Sequence, residues 1–272
     1  MDPQPLAGRT IAVPETRELE VFAAMLERRG ASVVRCPLIT IRDAPDPSLV
    51  LVFARSFANG SCDELILTTG EGLRRILSCI ERHEPALKDP FLKALAQVRK
   101  ITRGPKPARA LREVGLRSDL AAEPPTTPGI IASLGGADLK GHRVGVQLAG
   151  DKPNPPLTGF LEAAGATVLS VAPYVYGDAT DDAAVRGLLA RLAAGHVDAI
   201  AFTSTPQVER LFAVAPAATV SAALRQTLVA AVGPVVAGAL QRHGVEAQLT
   251  PEQTFFMKPL TTALEHALRA HG

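Results

Sequence analysis

The residues of this chain that could do chemistry gather at turns following short apolar stretches. In Val98–Leu116, VRKITRGPKPARALREVGL, a strand runs into Arg103-Gly104-Pro105-Lys106 and then into a helix that stops at Gly115. Such a turn leaves backbone N–H groups facing outward, with the positive end of the helix dipole behind them. It is a site for a carboxylate or phosphate, and Arg103 and Lys106 add full positive charges beside it. Thr68-Thr69-Gly70-Glu71 and Thr203-Ser204-Thr205-Pro206 bring hydroxyls and amides to the start of two further helices. Thr68 with Glu71 and Ser204 with Gln207 fit capping boxes, although Pro206 favours Thr205 as the cap. These residues either cap helices or meet a ligand. Arg17, in the turn Pro14-Glu15-Thr16-Arg17, opposes a helix dipole, which favours a ligand role over a solvated one. Lys152 holds the matching place in Gly150-Asp151-Lys152-Pro153. Tyr174 and Tyr176 are the only tyrosines, and strand alternation puts both on one face. A phenol there can donate a proton or a hydrogen bond, or simply pack.

The elements that must position these residues occur twice. Leu228–Val245 repeats the strand-turn-helix block, with Gly233-Pro234 matching Gly104-Pro105 and Gly244 matching Gly115, both at an offset of 129 residues. Leu6-Ala-Gly-Arg-Thr-Ile-Ala-Val is echoed 133 residues on at Leu139, and the blocks around Gly30 and Asp63 return 135 residues on at Gly165 and Asp198. Four blocks in one order at a nearly constant offset mean an internal duplication. Each copy reads as a strand (Thr10–Val13; Arg143–Gln147), an amphipathic helix ending at a glycine (Leu19–Arg29; Pro156–Ala164), and a second strand running to Ile41 or to about Tyr176. A proline- and aspartate-rich joint follows (Asp43–Pro47; Gly177–Asp182), then a helix, a third strand (Glu64–Leu67; Ala199–Phe202), the hydroxyl-rich turn, a helix, and the Gly-Pro block. Strands alternating with helices predict α/β domains with parallel sheets. Chain crossings at the two joints predict one domain of residues 1–42 and 178–272 and another of residues 43–177. Two such connections predict a cleft, with the active site at the strand ends facing it.

At 272 residues, 47% hydrophobic and with a mean hydropathy of +0.15, the chain can bury a sizeable core. A net charge of +2 gives no global pull toward nucleic acid or membrane, so anion binding must come from local placement. Cys36, Cys62 and Cys79 lack CxxC spacing and read as free buried thiols, and the six histidines show no metal-ligand spacing. No GxGxxG or GxxxxGK[ST] follows a strand, and no helix-turn-helix or basic recognition face is evident. There is no charged-then-apolar leader and no apolar run near eighteen residues. The expectation is a soluble, cytoplasmic monomer with a small-molecule ligand and no cofactor, metal, nucleic acid or membrane partner.

The ordered set formed by the Arg17 turn, Gly30-Ala-x-Val, Pro37-Leu-Ile-x-Ile, Thr68-Thr-Gly-x-Gly, Arg103-Gly-Pro, Tyr174, Phe202-Thr-Ser and Ala231-Val-Gly-Pro resembles the uroporphyrinogen-III synthase family across essentially the whole chain. The resemblance implies two α/β domains joined by a two-stranded linker and a cofactor-free lyase of haem and tetrapyrrole synthesis. It implies conversion of linear hydroxymethylbilane into the ring-closed type III isomer, with ring D inverted and water lost. The bilane would come from the preceding synthase, and Tyr174 would be the acid that assists the departing hydroxyl. A substrate with eight carboxylates needs many distributed donors; Arg17, Thr68, Thr69, Gly70, Arg103, Gly104, Lys106, Lys152, Thr203, Ser204, Thr205 and Gly233 are the substrate-binding candidates. Many members carry Arg-Gly-x-Gly-Gly-Arg where this chain has Gln147-Leu-Ala-Gly-Asp-Lys, and Thr-Arg-Pro where it has Thr16-Arg17-Glu18. The competing expectation is a non-catalytic bilobed ligand-binding or regulatory protein on the same scaffold.

Overall fold

The computed structural model describes residues 4–178 and 182–269. Part of the second joint (residues 179–181) and His271 lie outside the described residues. The first half of the chain forms β1 (Thr10–Val13), α1 (Leu19–Glu27), β2 (Ser32–Arg35), β3 (Ile39–Asp43), α2 (Pro47–Ala58), β4 (Glu64–Leu67), α3 (Gly70–His83), α4 (Lys88–Gln97), β5 (Arg99–Thr102), α5 (Pro105–Glu113), β6 (Leu120–Ala121) and α6 (Thr127–Leu134). The second half forms β7 (Arg143–Gln147), α7 (Pro155–Ala163), β8 (Thr167–Val171), β9 (Tyr174–Asp178), α8 (Asp182–Ala193), β10 (Ala199–Phe202), α9 (Thr205–Ala213), α10 (Ala217–Leu224), β11 (Leu228–Ala231), α11 (Pro234–Arg242) and α12 (Met257–Arg269).

The chain divides into two compact units, one of Met1–Thr40 with Gly177–Gly272 and one of Ile41–Tyr176. The first holds a parallel sheet in the order β11-β10-β1-β2, and the second a parallel sheet in the order β6-β5-β4-β7-β8. β3 and β9 form a two-stranded sheet of their own, and the unit boundaries fall inside these two strands. The sequence reading expected one unbroken second strand in each copy. Instead Pro37 separates β2 from β3 and Pro173 separates β8 from β9, because proline has no N–H to give to a sheet ladder. The aspartate-proline stretch after β3 is a helix start: Asp46 caps α2, accepting the Ser48 amide at 2.8 Å, with Pro47 at the first helical position.

β4 and β10 are buried along their whole length, as the central strands of a parallel sheet covered on both faces must be. Alternation then divides the core of the second unit. Leu65 and Leu67 face a layer with Phe53, Phe57 and Phe91, whereas Ile66 faces the opposite layer with Ile101, Ile130 and Val146. Each such side chain contributes about 1.5–3 kcal/mol by leaving water, so the register of β4 is firmly set. No helix among the described residues is long and apolar enough to cross a membrane.

Candidate active site

Register builds the candidate site in the second unit. Leu67 pairs with Thr102 and with Gln147, and Gln147 pairs with Val171, so four strands finish level. Thr68, Arg103, Leu148 and Ala172 follow along one edge, where α/β proteins bind ligands. The helix starts differ in detail from expectation. Thr69, not Thr68, caps α3, its hydroxyl accepting the Gly72 amide at 3.1 Å. Thr68 is buried and donates its hydroxyl to the Gln147 carbonyl at 2.7 Å, which ties the end of β4 to that of β7. Gly104 precedes α5 with φ +99° and ψ −163°, and a Cβ there would fall 2.5 Å from Pro125 Cβ. A Cβ on Gly70 would fall 2.6 Å from the Lys106 carbonyl oxygen, so the starts of α3 and α5 pack closely. The Lys106 residue itself is exposed.

Tyr174 completes the cluster. Its hydroxyl lies 3.1 Å from Thr69 Oγ1 and 3.2 Å from the hydroxyl of Tyr176. The two rings meet edge to face, with centroids 5.3 Å apart. Tyr174 is 0% exposed, whereas Tyr176 is half-buried. Tyr176 rests on the Gly150 turn, where a Cβ would fall 2.9 Å from its ring; Lys152, two residues on, is exposed. Burial pushes the half-buried Arg103 guanidinium below its ordinary value, and the flanking Tyr174 and Tyr176 pull it back up. Among the described residues no carboxylate pairs with Arg103.

Gln147 escaped the sequence reading as a site residue. The signal was there, in a polar residue closing the apolar strand RVGVQ. It is 0% exposed, and its side-chain oxygen accepts the Thr69 amide at 3.0 Å. It reaches that amide because Gly72 leaves the space: a Cβ on Gly72 would fall 1.9 Å from the Gln147 amide carbon.

The first unit reaches the same result by another route. Ser204, not Thr205, caps α9; Thr205 is the first helical residue and Pro206 follows within the first turn. Gln207, from within the helix, accepts the amides of Thr203 at 2.8 Å and Ser204 at 3.2 Å. Thr203 is buried, and its hydroxyl donates to the Glu15 carboxylate. Glu15 also accepts the amides of Thr16 at 2.9 Å and Arg17 at 3.1 Å, while the Arg17 side chain lies at the surface. Gly233 is extended, at φ 177°, against the Phe255 ring. The chain's own Glu15 carboxylate and Gln207 amide thus take up the backbone amides of Thr16, Arg17, Thr203 and Ser204 and the Thr203 hydroxyl.

Two α/β units with parallel sheets, the second bringing helix starts, hydroxyls and Arg103 to its strand ends, define a class of α/β protein that binds ligands at the carboxyl ends of its strands. The chain belongs to the family described as Uroporphyrinogen-III synthase HemD, which matches residues 20–260. It is 34% identical over 256 residues to the uncharacterized protein YjjA of Bacillus subtilis (strain 168), covering 91% of this chain and 92% of that protein. A crystal structure of a mutant uroporphyrinogen III synthase from the extremely thermophilic bacterium Thermus thermophilus superposes with a TM-score of 0.75 at 29% identity, covering 97% of this chain and all of that one. The wild-type Thermus enzyme in a second crystal form gives a TM-score of 0.60 at 29% identity, covering 97% and 99% of the two chains. The resemblance read from the sequence and the α/β fold class stand confirmed, and the family places the chain in tetrapyrrole biosynthesis with a small-molecule tetrapyrrole ligand.

Proposed function

We propose that this protein is a uroporphyrinogen-III synthase, a lyase that closes hydroxymethylbilane to uroporphyrinogen III with inversion of ring D. The observation that carries the reading is the juxtaposition of the Arg103 guanidinium with the Tyr174–Tyr176 phenol pair at the strand ends of the second unit. Arg103, the start of α5 and Lys106 hold propionate or acetate groups of the bilane by charge-assisted hydrogen bonds. Thr69, Gly70 and Gly104 shape the edge, with Lys152 at its rim. The phenol pair delivers a proton to the hydroxymethyl oxygen; its C–O bond breaks and water leaves. Ring D then attacks the resulting cation through the carbon that already bears its bridge to ring C. That bridge bond breaks and re-forms at the free α-carbon of ring D, and the hydrogen lost there restores the phenol, so one water is the net loss. Because Tyr174 is fully buried, the proton leaves through Tyr176. Orientation of the bound chain selects the carbon of ring D that attacks. The protein works as a cytoplasmic monomer without a cofactor, receiving the unstable bilane from the synthase that makes it.

The same burial of Tyr174 favours a second reading, in which the protein binds a tetrapyrrole without turning it over, as a sensor or regulator. One experiment separates the two: incubation with enzymatically generated hydroxymethylbilane, followed by separation of type I and type III products. Type III above the no-enzyme control establishes the synthase; bound ligand with type I alone establishes the sensor.

A further inference from the structure

The hydrogen bonds around Thr69 have a direction, and Gln147 imposes it. Its amide orientation is fixed from both ends by the backbone: Oε1 faces the Thr69 N–H at 3.0 Å, and Nε2 donates to the Leu148 carbonyl. With the amide so placed, Nε2 also donates to Thr69 Oγ1 at 3.3 Å. Thr69 Oγ1 accepts a second hydrogen bond from the Gly72 amide at 3.1 Å, which fills both acceptor positions of the hydroxyl. Thr69 therefore has nothing left to offer the Tyr174 proton, and two oxygens 3.1 Å apart without a proton between them would repel. The Thr69 proton has to lie toward Tyr174, the nearer acceptor, since Gln147 Oε1 stands at 3.4 Å. Tyr174, sealed from solvent, must then send its own proton to Tyr176, 3.2 Å away.

We infer that Gln147 is a positioning residue which orders the protons in the series Gln147 to Thr69 to Tyr174 to Tyr176, aiming the phenols away from Thr69 and toward the substrate. This inference rests on the synthase reading for its catalytic consequence, though not for the proton order itself. Without Gln147, Thr69 would regain an acceptor position, and Tyr174 could turn its proton inward, where it serves no leaving group. Gly72 is part of the device, since any larger residue would fill the space that the amide occupies.

The test uses the full chain, whose two tyrosines and lack of tryptophan make the tyrosine Raman doublet a report on this pair alone. In the wild type the doublet should show phenols that accept hydrogen bonds; a spectrum of pure donors overturns the inference without recourse to any variant. Gln147→Met, of similar length and with neither donor nor acceptor, should move the doublet toward donation. It should lower kcat for type III formation about threefold to tenfold, the factor a neutral hydrogen bond is worth, with KM unchanged and more type I product. Gly72→Ala should displace the amide and shift the doublet in the same sense, so the test survives if one variant fails to fold. A folded Gln147→Met with the wild-type doublet and wild-type isomer ratio overturns the inference. If the wild type itself makes no type III isomer, the synthase reading fails while the Raman result still decides the proton order.

Discussion

Thr69 Oγ1 and Tyr174 Oη lie 3.1 Å apart although 105 residues separate them in the chain. Thr69 caps a helix, and Tyr174 opens a strand of the two-stranded sheet, so helix start and phenol are held to one another by a single contact. Removing the phenol oxygen tests whether that contact serves chemistry. Tyr174→Phe should slow type III formation by about tenfold to a thousandfold, around the lower range for lost acid catalysis. Released bilane closes without inversion, so the type I isomer should rise as the variant slows. Tyr176→Phe should match this loss. Wild-type rates with pure type III product from both variants would end the acid role of the pair.

Arg103 has no carboxylate partner among the described residues, which suits it to an acidic ligand. Arg103→Ala should weaken binding of the type III product by about 1–3 kcal/mol, the scale of a lost charge-assisted hydrogen bond. Calorimetry on a folded variant gives the answer directly. Equal affinities would remove Arg103 from the site.

Gly104 stands where only glycine is at ease, with φ +99° and ψ −163°. Gly104→Ala should cost about 1–3 kcal/mol from backbone strain alone, and more from the contact 2.5 Å away at Pro125. Urea denaturation measures it. A variant as stable as the wild type would mean the turn can relax, and the start of α5 with it.

Asp63 gives the pH dependence a sign. The Arg143 side chain, bonded at 2.7 Å, and the Arg143 amide hold its carboxyl at about 2, against an ordinary value of 3.8. A folded value below the unfolded one means the stabilisation is complete above pH 3.8 and is lost as pH falls toward 2. Both side chains are over 40% exposed, so solvent screening limits the contribution to roughly 0.5–1 kcal/mol. The stability gap between wild type and Asp63→Asn should therefore be present at neutral pH and close by about pH 2. A gap that persists in acid would assign the effect to packing.

Much of this protein was legible in its residues because short-range physics wrote it there. Glycine before proline announced the starts of α5 and α11, and apolar runs flanked by such turns announced the buried parallel strands β4 and β10. Proline at 37 and 173 was equally visible, yet its effect depended on the sheet: the strand broke, and β3 and β9 left to pair with each other. Which threonine capped α3 was a matter of one residue of phase, and the competing Thr68 was claimed by the carbonyl of a strand 79 residues away. Local sequence does not state which strands are neighbours, because parallel partners are joined by crossovers of any length. Placing β7 beside β4 brought Gln147 into the gap left by Gly72, and placing β10 beside β1 set Glu15 against Thr203, 188 residues on. The sequence by itself determined the α/β class, the repeated turns and the stock of donors. Only the tertiary structure decided which donors are spent on the chain's own side chains and which stand at a strand end, since that depends on neighbours no local pattern encodes.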